Sequence, residues 1–384
     1  MSVDEIDLGI DRSLTEICGL LPMLRLLTPI NVPEMRAAFL KDELDEPDFV
    51  YRDLPDLPAI AADLEAIHPE DATDPVLIHM TRDMKRELER RLELLETRNT
   101  EQFLLAAVEK YGHVEKPLLD LAHRILGEIS PSPRSADPVT APEIAARANR
   151  ELDHYRTQFP ELSALVHVSE TAVGVMVENG ELFIGMDTTI ARDRLEPLLQ
   201  HEIGIHILTH VNGSAQPIRM LSLGLANYEE TQEALGVLAE HLSGGLRPQR
   251  LRVLALRVVA ARSIEDRDSF RETFDRLVAL GAGRNQAFTT TMRAHRSGGM
   301  TKDALYLGGL IRLLSYLRDG GRLDSLLIGK ISLADEPLVV DLLERGVLVD
   351  PPLRPRFMEF ASAVDRLARI RAGADIMELG GIAA

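Results

Sequence analysis

Residues 198–210 read LLQHEIGIHILTH, three histidines and a glutamate set into an apolar run with helical periodicity. Zinc hydrolases place two histidines at i and i+4, one helical turn apart, with a glutamate after the first to handle the proton of water. Here His201 and His206 are five apart. At about 100° per residue, five steps leave the second histidine roughly 140° away from the first on a regular α-helix, so the two rings would not meet. A local π-bulge with i→i+5 bonding returns residue i+5 to nearly the same face, and such bulges recur at functional sites. Gly204 is where that backbone can relax. His206 and His210 form a rival pair with regular i, i+4 spacing, and a third reading makes the histidines unrelated polar residues on an amphipathic helix. Local spacing leaves all three open.

Upstream, the period changes. Ala172–Glu178 (AVGVMVE), Asn179-Gly180 and Glu181–Met186 (ELFIGM) are two β-type runs around a two-residue turn whose residues tolerate positive φ, which predicts an antiparallel hairpin. ELFIGMD is expected to offer an edge to an extended peptide. Ile144–Gln158 reads as a helix. Before it, Ser130–Pro142 (SPSPRSADPVTAP) holds four prolines among small polar residues, and it is expected to form neither helix nor ladder. That linker separates a helical N-terminal region, 1–130, from a catalytic region, 143–384. Asp74-Pro75 opens a helix expected to run to about Tyr111, its alternating charges forming a solvated face. Between Lys41 and Asp71, acids dominate and four prolines interrupt, which predicts an extended connector. Ile6–Leu40 reads as short helices broken by Pro22, Pro29 and Pro33. From Arg192 onward the chain is mostly helical, with a break at Ser297-Gly298-Gly299.

The 384 residues suit two or three domains or one large one. Forty-three Lys and Arg against 61 Asp and Glu give a net charge of −18, which would repel a phosphate backbone and anionic headgroups, so neither nucleic acid nor a membrane is an expected partner. The single cysteine, Cys18, excludes an intrachain disulfide and a thiolate-rich metal site. No apolar run approaches the ~18 residues a membrane span needs, and the first residues are acidic where a secretory signal needs positive charge. A cytoplasmic protein is expected.

Other segments give the histidine stretch its context. HEIGIH is followed by Asn212-Gly213, Gln216-Pro217 and TQEALG, Thr231–Gly236; LFIGMD (182–187) precedes it, HRSGGMTKDALYLGGL (295–310) follows, and LLTPINVPEMRAAFL (26–40) is a weaker echo. Together these resemble the bacterial family of unknown function known for a QEGLA motif and for its link to flavohaemoglobin expression. Its eukaryotic relatives include the microtubule-associated tyrosine carboxypeptidases, and its motif is HExxxH. The resemblance implies that His201 and His206 are zinc ligands, that Glu202 activates water, and that Glu233 is the third ligand. Ala234 and Gly236 stand where QEGLA has Gly and Ala, a small-for-small exchange. Two neutral imidazoles and a carboxylate leave one position of a tetrahedral Zn²⁺ for water, as in catalytic zinc sites. Glu229 or Glu230, one turn from Glu233, could brace a ligand histidine.

A carboxypeptidase must also hold a free carboxylate, for which arginine and lysine are the usual means. Arg293, Arg296 and Lys302 flank the Gly-Gly break, and Tyr306, at i+4 from Lys302, could stabilise an oxyanion. The expected molecule is therefore an α+β, mainly helical metallopeptidase with a small antiparallel sheet beside the active-site helix. It would bind one zinc ion and remove a C-terminal residue from a peptide or protein. The alternative is a non-catalytic regulator of the same fold.

Overall fold

The computed structural model describes residues 3–131, 137–170, 172–244 and 246–381. Helix α1 (Glu5–Leu20) begins at Asp4, whose carboxylate accepts from the Ile6 N–H. Helix α2 (Pro75–Glu96) begins in the same way at Asp74, which accepts from Val76 and Leu77, with Pro75 at the first helical position where its missing N–H costs nothing. The helical stretch expected to reach Tyr111 does not run through. It breaks after Glu96, Asn99 takes φ 64°, and α3 (Phe103–Tyr111) resumes on a new axis. Nor is the charged run of α2 wholly solvated. Glu87 and Arg91 are buried, paired with each other at 2.8 Å, and Glu87 also takes Lys110 of α3.

Two other expectations are corrected. The acidic stretch 41–71 contains a helix, Leu57–Glu65, capped by Asp56 and packed on α2 through buried Leu57, Ile60 and Leu64. Its narrow apolar stripe was masked by the acids around it. In the linker, residues 132–136 lie outside the described residues, but Pro138–Thr140 forms β1, paired antiparallel with β5 (Thr189–Ala191). Pro138 is the first residue of its strand, a place where proline's missing donor is tolerated. Thr140 and Glu143 then form a capping box that starts α4 (Ala141–Arg156).

The predicted hairpin is present: β3 (Val175–Glu178) and β4 (Glu181–Gly185) pair antiparallel around Asn179 and Gly180, at φ 49° and 78°. A further strand, β2 (Val166–Ser169), pairs parallel with β4, giving the order β2-β4-β3. Both edges of β4 are therefore taken, and ELFIGMD cannot receive a peptide by edge pairing. The outer strands are β2 and β3.

The remaining helices carry the site: α5 (Leu195–His201), a π-helical segment (Glu202–Ile207), α6 (Leu208–Ser214), α7 (Tyr228–Leu242), α8 (Pro248–Glu265), α9 (Arg284–His295) and α10 (Leu305–Arg318). Helices α7 and α10 pack closely at Gly309, where a Cβ would lie 2.7 Å from the Glu230 carbonyl oxygen. Two apolar clusters form. One joins the N-terminal helices to α7, α8 and α10; the other gathers the sheet, α4 and α5. The π segment lies between them, with Ile205 in the first cluster and Ile203 and Ile207 in the second. The molecule is α+β and mainly helical, with its small sheet against the π segment. Among the described residues, no helix is long and apolar enough to cross a membrane.

Candidate metal centre

The π segment resolves the spacing problem. It adds one residue to the turn between α5 and α6, and the rings of His201 and His206 meet edge to face, 4.9 Å between centroids at 75°. The structure brings His206 to His201 rather than to His210. His210 faces away, its Nδ1 3.0 Å from the Ser222 carbonyl, and burial together with Lys330 pulls its pKa down to about 4. His241 is likewise pulled to about 4 by burial, with Arg366 nearby.

Helix α7 brings Glu233 to the two histidines. Its Oε2 lies 3.5 Å from His201 Nε2 and 3.7 Å from His206 Nε2, and one donor atom from each of the three residues fits within 4.8 Å. Glu233 Oε2 is buried and, among the described residues, accepts no hydrogen bond, although burial of such an atom is costly. Burial would raise the pKa of Glu233, but the two facing imidazoles hold it well below the usual carboxylate range. Glu202, one residue after His201, is buried as well. Burial raises its pKa, only partly offset by His201 and His206.

The groups that orient the histidines are not those expected. Glu229 pairs with Lys110 at 3.6 Å and Lys302 at 3.9 Å, while Glu230 pairs with Arg312 at 2.7 Å. Neither braces a histidine. Glu240 does: its Oε1 lies 3.0 Å from His201 Nδ1, and its carboxylate is held by Arg194 at 2.5 Å and by Arg250 through two contacts of 2.9 Å. With Nδ1 turned to Glu240, Nε2 is the nitrogen that faces Glu233. Burial would lower the pKa of His201, but Glu233 and Glu240 raise it to about 9. His206 is oriented by Gln232, whose Oε1 lies 3.4 Å from Nδ1 and accepts from Thr209 Oγ1 at 2.9 Å. One signal for Glu240 was in the sequence, since it follows Glu233 by seven residues, two turns on the same helix face.

Gly236 is also more constrained than a small-for-small exchange implies, because a Cβ there would lie 2.4 Å from His201 Cε1.

The expected substrate residues separate. Tyr306 opens α10 beside the site, with the Arg257 guanidinium 4.5 Å from its ring centroid; burial and Glu233 push its hydroxyl pKa up, so it stays protonated. Arg293 is gripped by Asp303 through contacts of 2.5 and 2.6 Å. Lys302 is partly exposed and leans toward Glu229. The Gly-Gly break is real, with Ser297, Gly298 and Gly299 at φ 62°, 110° and 116°. It does not turn Arg296 into a cleft. Arg296 is buried, donating to Thr28 Oγ1 at 3.2 Å and Met300 Sδ at 3.3 Å, because the glycines fold this turn onto Phe103 and Ile264. One turn along α7 from Glu233, a cavity of about 270 Å³ is lined by Lys110, Tyr111, Asn227, Glu229 and Leu305, among others.

Residues 37–375 match the family described as microtubule-associated tyrosine carboxypeptidase. The protein named microtubule-associated tyrosine carboxypeptidase 1 from Homo sapiens is 32% identical over 199 residues, covering 48% of this chain and 40% of that protein. Its namesake from Mus musculus is 33% identical over 203 residues, covering 48% and 41%. The chain thus spans about two fifths of the length of the curated relatives it matches.

Proposed function

This chain belongs to the microtubule-associated tyrosine carboxypeptidase family, and from that premise we propose that it is a zinc-dependent peptidase that removes a C-terminal residue from a peptide or protein. The observation that carries the reading is Glu233 Oε2, buried without a hydrogen bond between the Nε2 atoms of His201 and His206. A cation bound by all three groups would satisfy it. Two imidazoles and one carboxylate suit Zn²⁺ with a position to spare, whereas harder ions prefer more oxygen ligands. When bound, such an ion acts as a Lewis acid and lowers the pKa of water.

The chain's own residues supply the rest. Glu202, its pKa raised by burial, takes the proton of the attacking water and returns it to the departing amine. Tyr306 donates its hydroxyl hydrogen bond to the oxygen on which negative charge develops. The cavity beside Glu229 receives the side chain of the departing residue, with Lys110 and Arg312 in its lining and Lys302 beside Glu229 at 3.9 Å. Residues 143–384 carry the chemistry in this reading. Residues 1–130 brace it, since Tyr51 accepts from the Ser297 N–H at 2.6 Å and Thr28 accepts from Arg296.

Elemental analysis tests the centre. The wild type should hold about one zinc per chain and His201→Ala much less; equal content in both rejects the ligand set. Glu202→Gln should keep its zinc and lose hydrolysis of peptides with free C-termini by ~10²-fold or more. Unchanged turnover rejects the base, and a zinc-loaded wild type that cleaves nothing favours the regulator.

A further inference from the structure

The basic side chains around the site are nearly all spoken for. Lys302 leans on Glu229 at 3.9 Å, Arg293 is clamped by Asp303, Arg257 lies 3.7 Å from the same Asp303, and Arg312 holds Glu230. Lys330 differs. Among the described residues its ammonium finds no hydrogen bond and no ion pair, although the side chain is largely withdrawn from water. Its backbone is pinned: the N–H donates to the Leu221 carbonyl at 2.8 Å, and its carbonyl accepts from Leu225 at 2.9 Å. Gly329 presses on the same loop, where a Cβ would lie 2.7 Å from the Leu221 oxygen. From that fixed stem, Nζ reaches over Tyr228, the first residue of α7, at 6.0 Å from the ring centroid. Glu233 lies five residues further along the same helix, and its field reaches the ammonium, as do those of Lys302 and of Arg91 from the N-terminal helices.

Burial, with Arg91 and Lys302, draws the pKa of Lys330 down to about 8, so at neutral pH it remains mainly charged. A largely buried cation with no anion is costly, and functional sites are where such costs persist. An arriving carboxylate would offset it.

We propose that Lys330 is the specificity-determining residue that holds the terminal carboxylate of the peptide, the role first sought at Lys302 and Arg296. This rests on the peptidase reading, in which the substrate ends one residue beyond the bond that breaks.

The test uses the full-length, zinc-loaded protein and pairs of peptides that differ only in ending as the free acid or the amide. Lys330→Met should hold zinc as the wild type does. It should lower kcat/KM for the acid about 10- to 100-fold, chiefly through KM, as loss of a charge-assisted contact predicts, and leave the slow cleavage of the amide unchanged. Lys330→Arg should restore part of the loss. In parallel, calorimetry compares N-acetyl-tyrosine with its amide; the wild type should prefer the acid and Lys330→Met should not. A variant that slows acid and amide equally, or neither, overturns the proposal. So does a preference for the acid that survives in Lys330→Met. A wild type that binds the acid selectively through Lys330 but cleaves neither peptide overturns the peptidase reading and leaves Lys330 as the carboxylate site.

Discussion

Glu240 decides which nitrogen of His201 faces Glu233. By accepting the Nδ1 proton it fixes the tautomer, and Arg194 and Arg250 in turn fix the carboxylate. Glu240→Gln keeps the shape but removes the charge that matches two arginines. It should weaken zinc binding by about 10- to 100-fold, the usual effect of losing a group behind a metal ligand, measured by competition with a chromophoric chelator. An affinity equal to that of the wild type would reduce Glu240 to a structural ion pair. The motifs carried the juxtaposition of His201, His206 and Glu233. For Glu240 only its place on the Glu233 face of the helix was legible, since its contact with His201 needs the packing of α7 against α5, and nothing was legible for the environments of Arg296 and Lys330, which come from segments about 270 and 100 residues away in sequence.

At the level of elements, the π segment was predictable because two histidines five apart cannot share a face of a regular helix. The close contact between α7 and α5 was not, and it rests on Gly236. Gly236→Ala would place a methyl group against the His201 ring at 2.4 Å, so the ring or the helix must move. Overpacking of this kind costs about 1–3 kcal/mol. The variant should melt earlier and bind zinc more weakly, as read by calorimetry and chelator competition. Gly19→Ala, where no atom lies within 4 Å of the added carbon, should do neither. Equal behaviour of the two variants would show that the helices adjust freely. Pairing order was another element-level feature beyond local pattern: the β3–β4 hairpin was legible from Asn179-Gly180, but β2 joins from outside it and closes the second edge of β4.

For the molecule as a whole, the charge of −18 describes the surface better than the interior. Burial pulls His210, His241 and His295 to about 4, so each is neutral in the folded protein at neutral pH. In the unfolded chain they titrate near about 6.5. Between roughly 6.5 and 4 the unfolded chain therefore takes up protons that the folded one refuses, and stability must fall as pH falls through that window. In the metal-free protein His201 works at the other end: raised to about 9, it contributes stability below about 6.5 that is lost as pH rises toward 9. Urea denaturation should show a lower midpoint at pH 5 than at pH 7, and equal midpoints would mean that these histidines are protonated in place. Composition gave the solvated exterior, but it hid the helix Leu57–Glu65 and the buried Glu87–Arg91 pair, because charge counted along a chain does not say which side of a helix it lies on.

A π segment is an α-helix carrying one inserted residue, with the flanking turns left in register. His201 and His206 therefore stand as an i, i+4 pair would, and downstream of them Asn212 still bridges the carbonyls of Leu327 and Leu353. The six-residue and five-residue histidine motifs are thus neighbours separated by a single codon. Gly204 is the natural candidate for the added one, since it sends no side chain into either apolar cluster, and a lineage could cross between the two lengths without rebuilding the protein around them.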